Sequence, residues 1–333
     1  MNIIKKIPAI TNGWQLMLAA IVALIFSVSV AHADAVTDWN AIAVQAAVTA
    51  ARPGASSTLD IAMVHAAIYD AVQAIEGDYE PYYLDIPGAT GSPIAATATA
   101  AHDVLVSRFP VQAAALDITY QNYLISNGIP ITDPGIVVGA TAAASIIAHR
   151  SCDGSFPAAP PPFIGGTGIG VWRPTPPANS PMNPGPWQGV VTPYTLTRPS
   201  QFRSDPPPAL NSRKYARDYN EVKALGALTG STRTPEQTDQ AVFYAGNIIV
   251  ALNRVVRDLA VAHVDNISDS SRLFALTSMA QADTTITVWN DKAFYVVWRP
   301  ITARQNGDLD GNPHTAGDPA WNSLIPSPPC PDY

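Results

Sequence analysis

A chain of 333 residues is long enough to bury a substantial core, as one large domain or two ordinary ones. A formal charge of −7 with 14% charged residues excludes bulk affinity for nucleic acid or anionic lipid, although a few converging cations can still hold one small oxyanion. Cysteine occurs only at Cys152 and Cys330, which excludes a disulfide framework and a Cys-based zinc site and leaves open either one bridge or two free thiols.

The chain opens with Lys5 and Lys6, an apolar run from Leu16 to Val30, and small residues at Ala31 and Ala33. That order predicts a signal peptide over 1–33, cleaved after Ala33, and an exported (periplasmic or secreted) protein with no membrane attachment afterwards. An uncleaved anchor is the alternative, but the run is shorter than the roughly 20 residues of a span. Losing Lys5 and Lys6 takes the charge to −9.

From residue 34 onward each segment carries helix signals. Thr37 or Asp38 precedes an Ala-rich helix running to Arg52, ended by Pro53 and Gly54. Ser57 or Thr58 caps the next, whose Ile61, Val64, Ile68, Val72 and Ile75 recur at three- and four-residue steps. Ser92-Pro93 opens another, Pro110 starts one that Asn127-Gly128 stops, and Ile136 to His149 reads as one more. Residues 157–208 then hold 15 of the 31 prolines, so no continuous helix or central strand fits there. Phe163, Trp172, Trp187, Tyr194 and Phe202 give this stretch apolar anchors, and the prediction is an ordered loop over about 153–210 wrapping a helical body. Arg213 to Ala227 reads as helical. Thr234-Pro235-Glu236-Gln237 is a capping box, followed by a stripe of Val242, Ala245, Ile249, Leu252, Val256 and Leu259. Ser268 or Ser270 starts the longest helix, expected to reach Trp298 before Pro300. The fold class is all-α.

The common catalytic signatures are absent: no GxSxG, HExxH, CxxC or P-loop occurs. What remains is DKAFYVVWRP at 291–300. If it is helical, Lys292 and Arg299 lie seven residues apart, a rotation of about 700° that puts both on nearly one face, with Trp289 three before Lys292. Arg can fork two donors onto an oxyanion and Lys adds a point charge. The plainer alternative is two solvated cations meeting the negative end of a helix dipole.

The pattern of Lys, six residues and Arg-Pro resembles the first motif of the superfamily that joins vanadium-dependent haloperoxidases to type 2 phosphatidic acid phosphatases and bacterial acid phosphatases. The stretches VTDWNAIA, LDIAMVHAAIYDAVQAI, SPIAATATAAHDVLVSRFP, FIGGTGIGVWRPTPP, RTPEQTD and WRPITARQNGDLDGNP are similar to the bacterial haloperoxidase branch across nearly all of residues 35–333. The resemblance implies a helical bundle that holds vanadate and uses hydrogen peroxide to oxidise halide. By motif position, Lys292 would polarise peroxide, Arg299 would bind equatorial oxygens, and Trp289 would line the pocket.

A second motif of PSGH type normally follows a segment like PPCPDY, and a third supplies an Arg and the His that binds vanadium. Neither occurs before Tyr333, and His65, His102, His149, His263 and His314 are scattered. The expectation is a single haloperoxidase-like domain over 34–333 lacking the C-terminal helices, with no direct metal ligand of its own. Such a chain alone would neither hold vanadate tightly nor turn over. Two further readings stand beside it: a phosphoester hydrolase, because phosphate and vanadate share shape and charge, and a non-catalytic exported helical protein. In the last, bare apolar helix faces would drive assembly, including a homo-oligomer. Asn306, Asp308, Asp310 and Gly311 imitate the start of a calcium loop, but Gly317 stands where the closing Glu belongs, so a polar turn is expected. His102-Asp103 is read as structural.

Overall fold

The computed structural model describes residues 34–158, 163, 165–182 and 185–332, so the leader segment and cleavage point expected within 1–33 lie outside the described residues. Ten α-helices and three short 3-10 turns are described, and pairing is limited to single antiparallel bridges. The fold is therefore an all-α bundle.

Helix α1 (Ala35–Thr49) begins earlier than the sequence suggests, because the Asp34 carboxylate accepts from Thr37 N and caps it. Helix α2 (Gly54–Glu76) follows Pro53. Ser57 and Thr58 lie inside its first turn, where their hydroxyls bond back to the Pro53 and Ala55 carbonyls instead of capping. Every residue of α2 from Ser56 to Gln73 is buried, so this is a helix enclosed on all sides rather than an amphipathic one. Around it pack α1, α3 (Pro93–Arg108), α5 (Pro134–Arg150) and the long α9 (Ile267–Tyr295). Helix α4 (Ala113–Ser126) covers α3 and buries only Leu116 and Leu124.

The Ala-rich composition works through close approach. A Cβ at Gly139 of α5 would collide with the Ala96 carbonyl and reach within 2.8 Å of Thr99 Cβ on α3. Buried acids then fasten loops to this body. Asp60 sits between Arg52 (2.9 Å) and Arg108 (2.7 Å). Asp70 accepts from the backbone of Tyr82 and Leu84, and Asp283 of α9 accepts from Tyr194 N and from the Thr195 N–H and hydroxyl.

Those last bonds hold the Pro-rich stretch on the bundle. Trp172 is fully buried and Tyr194 nearly so, but Phe202 is 66% exposed and anchors nothing. A second correction concerns the stripe after the capping box. The box at Thr234 and Gln237 forms and starts α7 (Pro235–Tyr244), yet the helix stops there, and Asn247 caps a new one, α8 (Ile248–His263). The break puts the two halves out of phase. Of the expected stripe Ile249 is buried, whereas Val242, Leu252 and Leu259 are exposed. Helices α6 (Arg213–Leu225) and α10 (Pro300–Gln305) pack on each other near the end of α9.

Candidate site at the end of helix α9

Helix α9 ends at Tyr295, three residues short of Trp298, and this changes how Lys292 and Arg299 are related. Asn266 caps its start, not Ser268 or Ser270. At its end Val296 turns into the left-handed region (φ 52°, ψ 39°) and its N–H closes onto Lys292 O. A β-branched residue there is strained by about 1–3 kcal/mol. The strain persists because the following residues are pinned on both sides. Trp172 N donates to Val296 O (2.8 Å), Trp298 N to Gly170 O (2.9 Å), and Asp332 N to Val297 O (2.9 Å). Arg299 is then the extended residue before α10, so the shared-helix-face argument for the two cations does not hold.

The two cations nevertheless converge, by a different route. Lys292 Nζ donates to Pro331 O at 2.9 Å. Arg299 Nε donates to Cys330 O at 2.6 Å and Nη2 approaches Cys330 Sγ at 2.7 Å, while Nη1 lies 3.6 Å from Asp332 Oδ1. Both therefore grip one short segment, residues 330–332. Lys292 is only 8% exposed, and burial pushes its ammonium below the ordinary lysine range; Cys330 and Asp332 oppose that fall and Arg299 adds to it.

Trp289, one turn before Lys292, is buried in a cluster with Trp172, Met182 and Cys330. All three sequence-predicted site residues thus meet around 330–332. Trp172, read from the sequence only as a loop anchor, and Cys330 are not assigned to the site there, since the composition of a Pro-rich loop does not reveal which aromatic will reach the far end of α9. The loop closes over Trp172 at Gly165 (φ 81°), where any Cβ would strike the Trp172 carbonyl and indole. The two cysteines are free thiols, Cys152 exposed and Cys330 buried.

The histidines lie elsewhere. His65 is fully buried against Asn40 and Phe274, held neutral by burial and by Arg257 with its pKa pushed down to about 3. His102 bridges Asp103 and Asp117, and His149 stacks on Tyr83. No group of three His, Cys, Asp or Glu suited to a metal occurs among the described residues. In the loop that imitates a calcium site, Asp308 accepts from Gly317 N, and Asp310 from Thr315 Oγ1 and Asn312 N. Its carboxylates already close a polar turn.

The donor set at 292 and 299 suits the oxygens of an oxyanion rather than a metal ion. It consists of one ammonium and one guanidinium, all donors and no acceptor, and the Asp332 carboxylate lies 3.6 Å from the guanidinium. Vanadate meets that requirement through its oxygens.

Comparison with known proteins bears on the family and the fold. Residues 272–333 match the family model of the VCPO second helical-bundle domain. The chain is 31% identical over 163 residues to the vanadium chloroperoxidase of Curvularia inaequalis, covering 42% of this chain and 26% of that protein, so it spans about a quarter of its curated relative. The structure is similar to that of a bacterial vanadium-dependent iodoperoxidase, with a TM-score of 0.70 at 20% identity over 90% of this chain and 75% of the other. A holo-type bacterial vanadium-dependent chloroperoxidase gives a TM-score of 0.62 at 16% identity, over 83% and 71%. In fold, and in the family of its residues 272–333, this chain is vanadium haloperoxidase-like.

Proposed function

We propose that this protein belongs to a vanadium-dependent peroxidase that oxidises halide with hydrogen peroxide, and that Lys292 and Arg299 supply the cationic half of its oxyanion site. The observation that carries the reading is the convergence of these two side chains, from either side of the Val296 turn, on residues 330–332. Bound vanadate would supply Lewis-acid activation of peroxide. The protein's own residues perform the binding and orienting. Arg299 offers a planar fork of donors that fixes orientation, and Lys292 offers a point charge in a largely dry setting, where electrostatic attraction is stronger than in water. Trp289 walls the site with an apolar face and excludes water.

The same donors fit phosphate, so the assay must separate the two chemistries. Protein purified from its native host and supplied with orthovanadate is tested for peroxide-dependent bromide oxidation beside phosphate ester hydrolysis. The expected result is bromide oxidation that falls by about a hundredfold or more in Lys292→Ala or Arg299→Ala, the usual cost of one lost oxyanion donor. Ester hydrolysis without bromide oxidation would establish the phosphatase instead, and neither activity would make the protein non-catalytic.

A further inference from the structure

Arg299 holds a nucleophilic atom for which oxyanion binding has no use. Cys330 Sγ lies 2.7 Å from Arg299 Nη2, and the same residue's carbonyl takes Arg299 Nε. A guanidinium has donors only, so the sulfur is held as an acceptor and its proton is directed elsewhere. Sulfur beside Arg or Lys is the setting in which cysteine becomes reactive. Lys292 holds the neighbouring Pro331 carbonyl. Cys330 also belongs to one buried apolar cluster with Trp172, Trp289 and Met182.

Independently, the Trp172 indole N–H, fully buried in this cluster, finds no acceptor among the described residues. A buried donor without an acceptor costs about 1–3 kcal/mol, which only a group able to accept can relieve. An oxygen acquired inside the cluster is the kind of group that can. Cys152 is exposed instead, and the Ser151 hydroxyl donates to its sulfur at 3.8 Å.

We propose that Cys330 is a peroxide-reactive thiol, oxidised to the sulfenic acid beside Arg299. The sulfur attacks one peroxide oxygen. An S–O bond forms as the O–O bond breaks, and the departing hydroxide takes the thiol proton and leaves as water. Sulfur gives up two electrons and peroxide gains them. The new oxygen sits against Arg299 and competes with a bound oxyanion, so oxidation would turn the site down when peroxide is in excess. The reading of the site as peroxide-using is needed only as the source of oxidant in the cell. Reagent peroxide tests the thiol regardless of vanadium.

The experiment exposes the purified full chain to hydrogen peroxide with dimedone present and follows adducts at both cysteines by peptide mass spectrometry. Cys330 is expected to be labelled several-fold faster than Cys152 despite its burial, and Arg299→Met is expected to abolish that advantage. The first comparison needs no variant, so a misfolded Arg299→Met does not spare the idea. Faster labelling of Cys152, or equal labelling of the two, overturns it. Labelling of Cys330 that added orthovanadate fails to slow upholds the thiol and counts against the oxyanion reading, so the two can fail separately.

Discussion

Lys292 carries most of what is unusual at the level of single residues. It is a cation brought almost entirely out of water, which costs energy that its contacts, the Pro331 carbonyl among them, must offset. Proteins keep such groups where charge has work to do. His102 is a half-buried titratable group of another kind. Burial opposes its charge, but the carboxylates of Asp103 (2.8 Å) and Asp117 (2.9 Å) outweigh that and hold its pKa above the ordinary value. The Tyr120 ring stacks on the imidazole from α4. A raised folded-state pKa means that stabilisation is fully present below about pH 6.5, the unperturbed value, and is lost as pH rises through the folded value. His102→Gln is therefore expected to lower the melting temperature in acid and to converge on the parent in mild alkali. The difference should be on the order of 1 kcal/mol, because both acids are partly solvated. A gap that stays constant with pH would remove the carboxylates from the explanation.

Among the elements, those legible in the sequence were those whose ends are decided locally. Ser92-Pro93, the Thr234 box and Asn127-Gly128 each satisfy orphan backbone groups with near neighbours, and each lies where the pattern put it. What failed depended on distant partners. The end of α9 looked like helix through Trp298 because residues 291–298 contain no breaker, yet pairing with Gly170, Trp172 and Asp332 unwinds it after Tyr295. Lys292, Arg299 and Trp289 could be named from the Lys-to-Arg-Pro spacing, but Trp172 and Cys330 could not, because a Pro-rich backbone fixes its extended shape without fixing its destination. Helix α2 gave a one-sided stripe although it is buried all round, since alanine reads as neutral at every angle. That same alanine-rich packing makes a prediction at Gly139, where the obstacle is the Ala96 backbone and cannot swing aside. Gly139→Val should separate α3 from α5 and cost about 1–3 kcal/mol, read as a lower melting temperature in a thermal scan. An unchanged melting temperature would mean that the two helices have slack.

At the scale of the whole molecule, the candidate site depends on three remote stretches, 170–172, 289–299 and 330–332, meeting at one end of the bundle. The bundle supplies rigidity, the Pro-rich loop supplies a brace, and the Val296 turn brings the two cations to a common target. No helix among the described residues is long and apolar enough to cross a membrane. Export remains a proposal, resting on the sequence order of residues 5–33. It predicts a mature amino terminus at Asp34, the residue that caps α1, which N-terminal sequencing of the host's own product would show. A retained Met1 would contradict it. The central claim, that Lys292 and Arg299 together form an oxyanion site, is tested most directly by titrating orthovanadate into the protein purified from its native host and following the vanadium-51 resonance. The account predicts binding that weakens by about tenfold or more in Lys292→Met and again in Arg299→Met, as expected for a lost charge-assisted hydrogen bond of about 1.5–3 kcal/mol. Equal binding by the parent and both variants would contradict it.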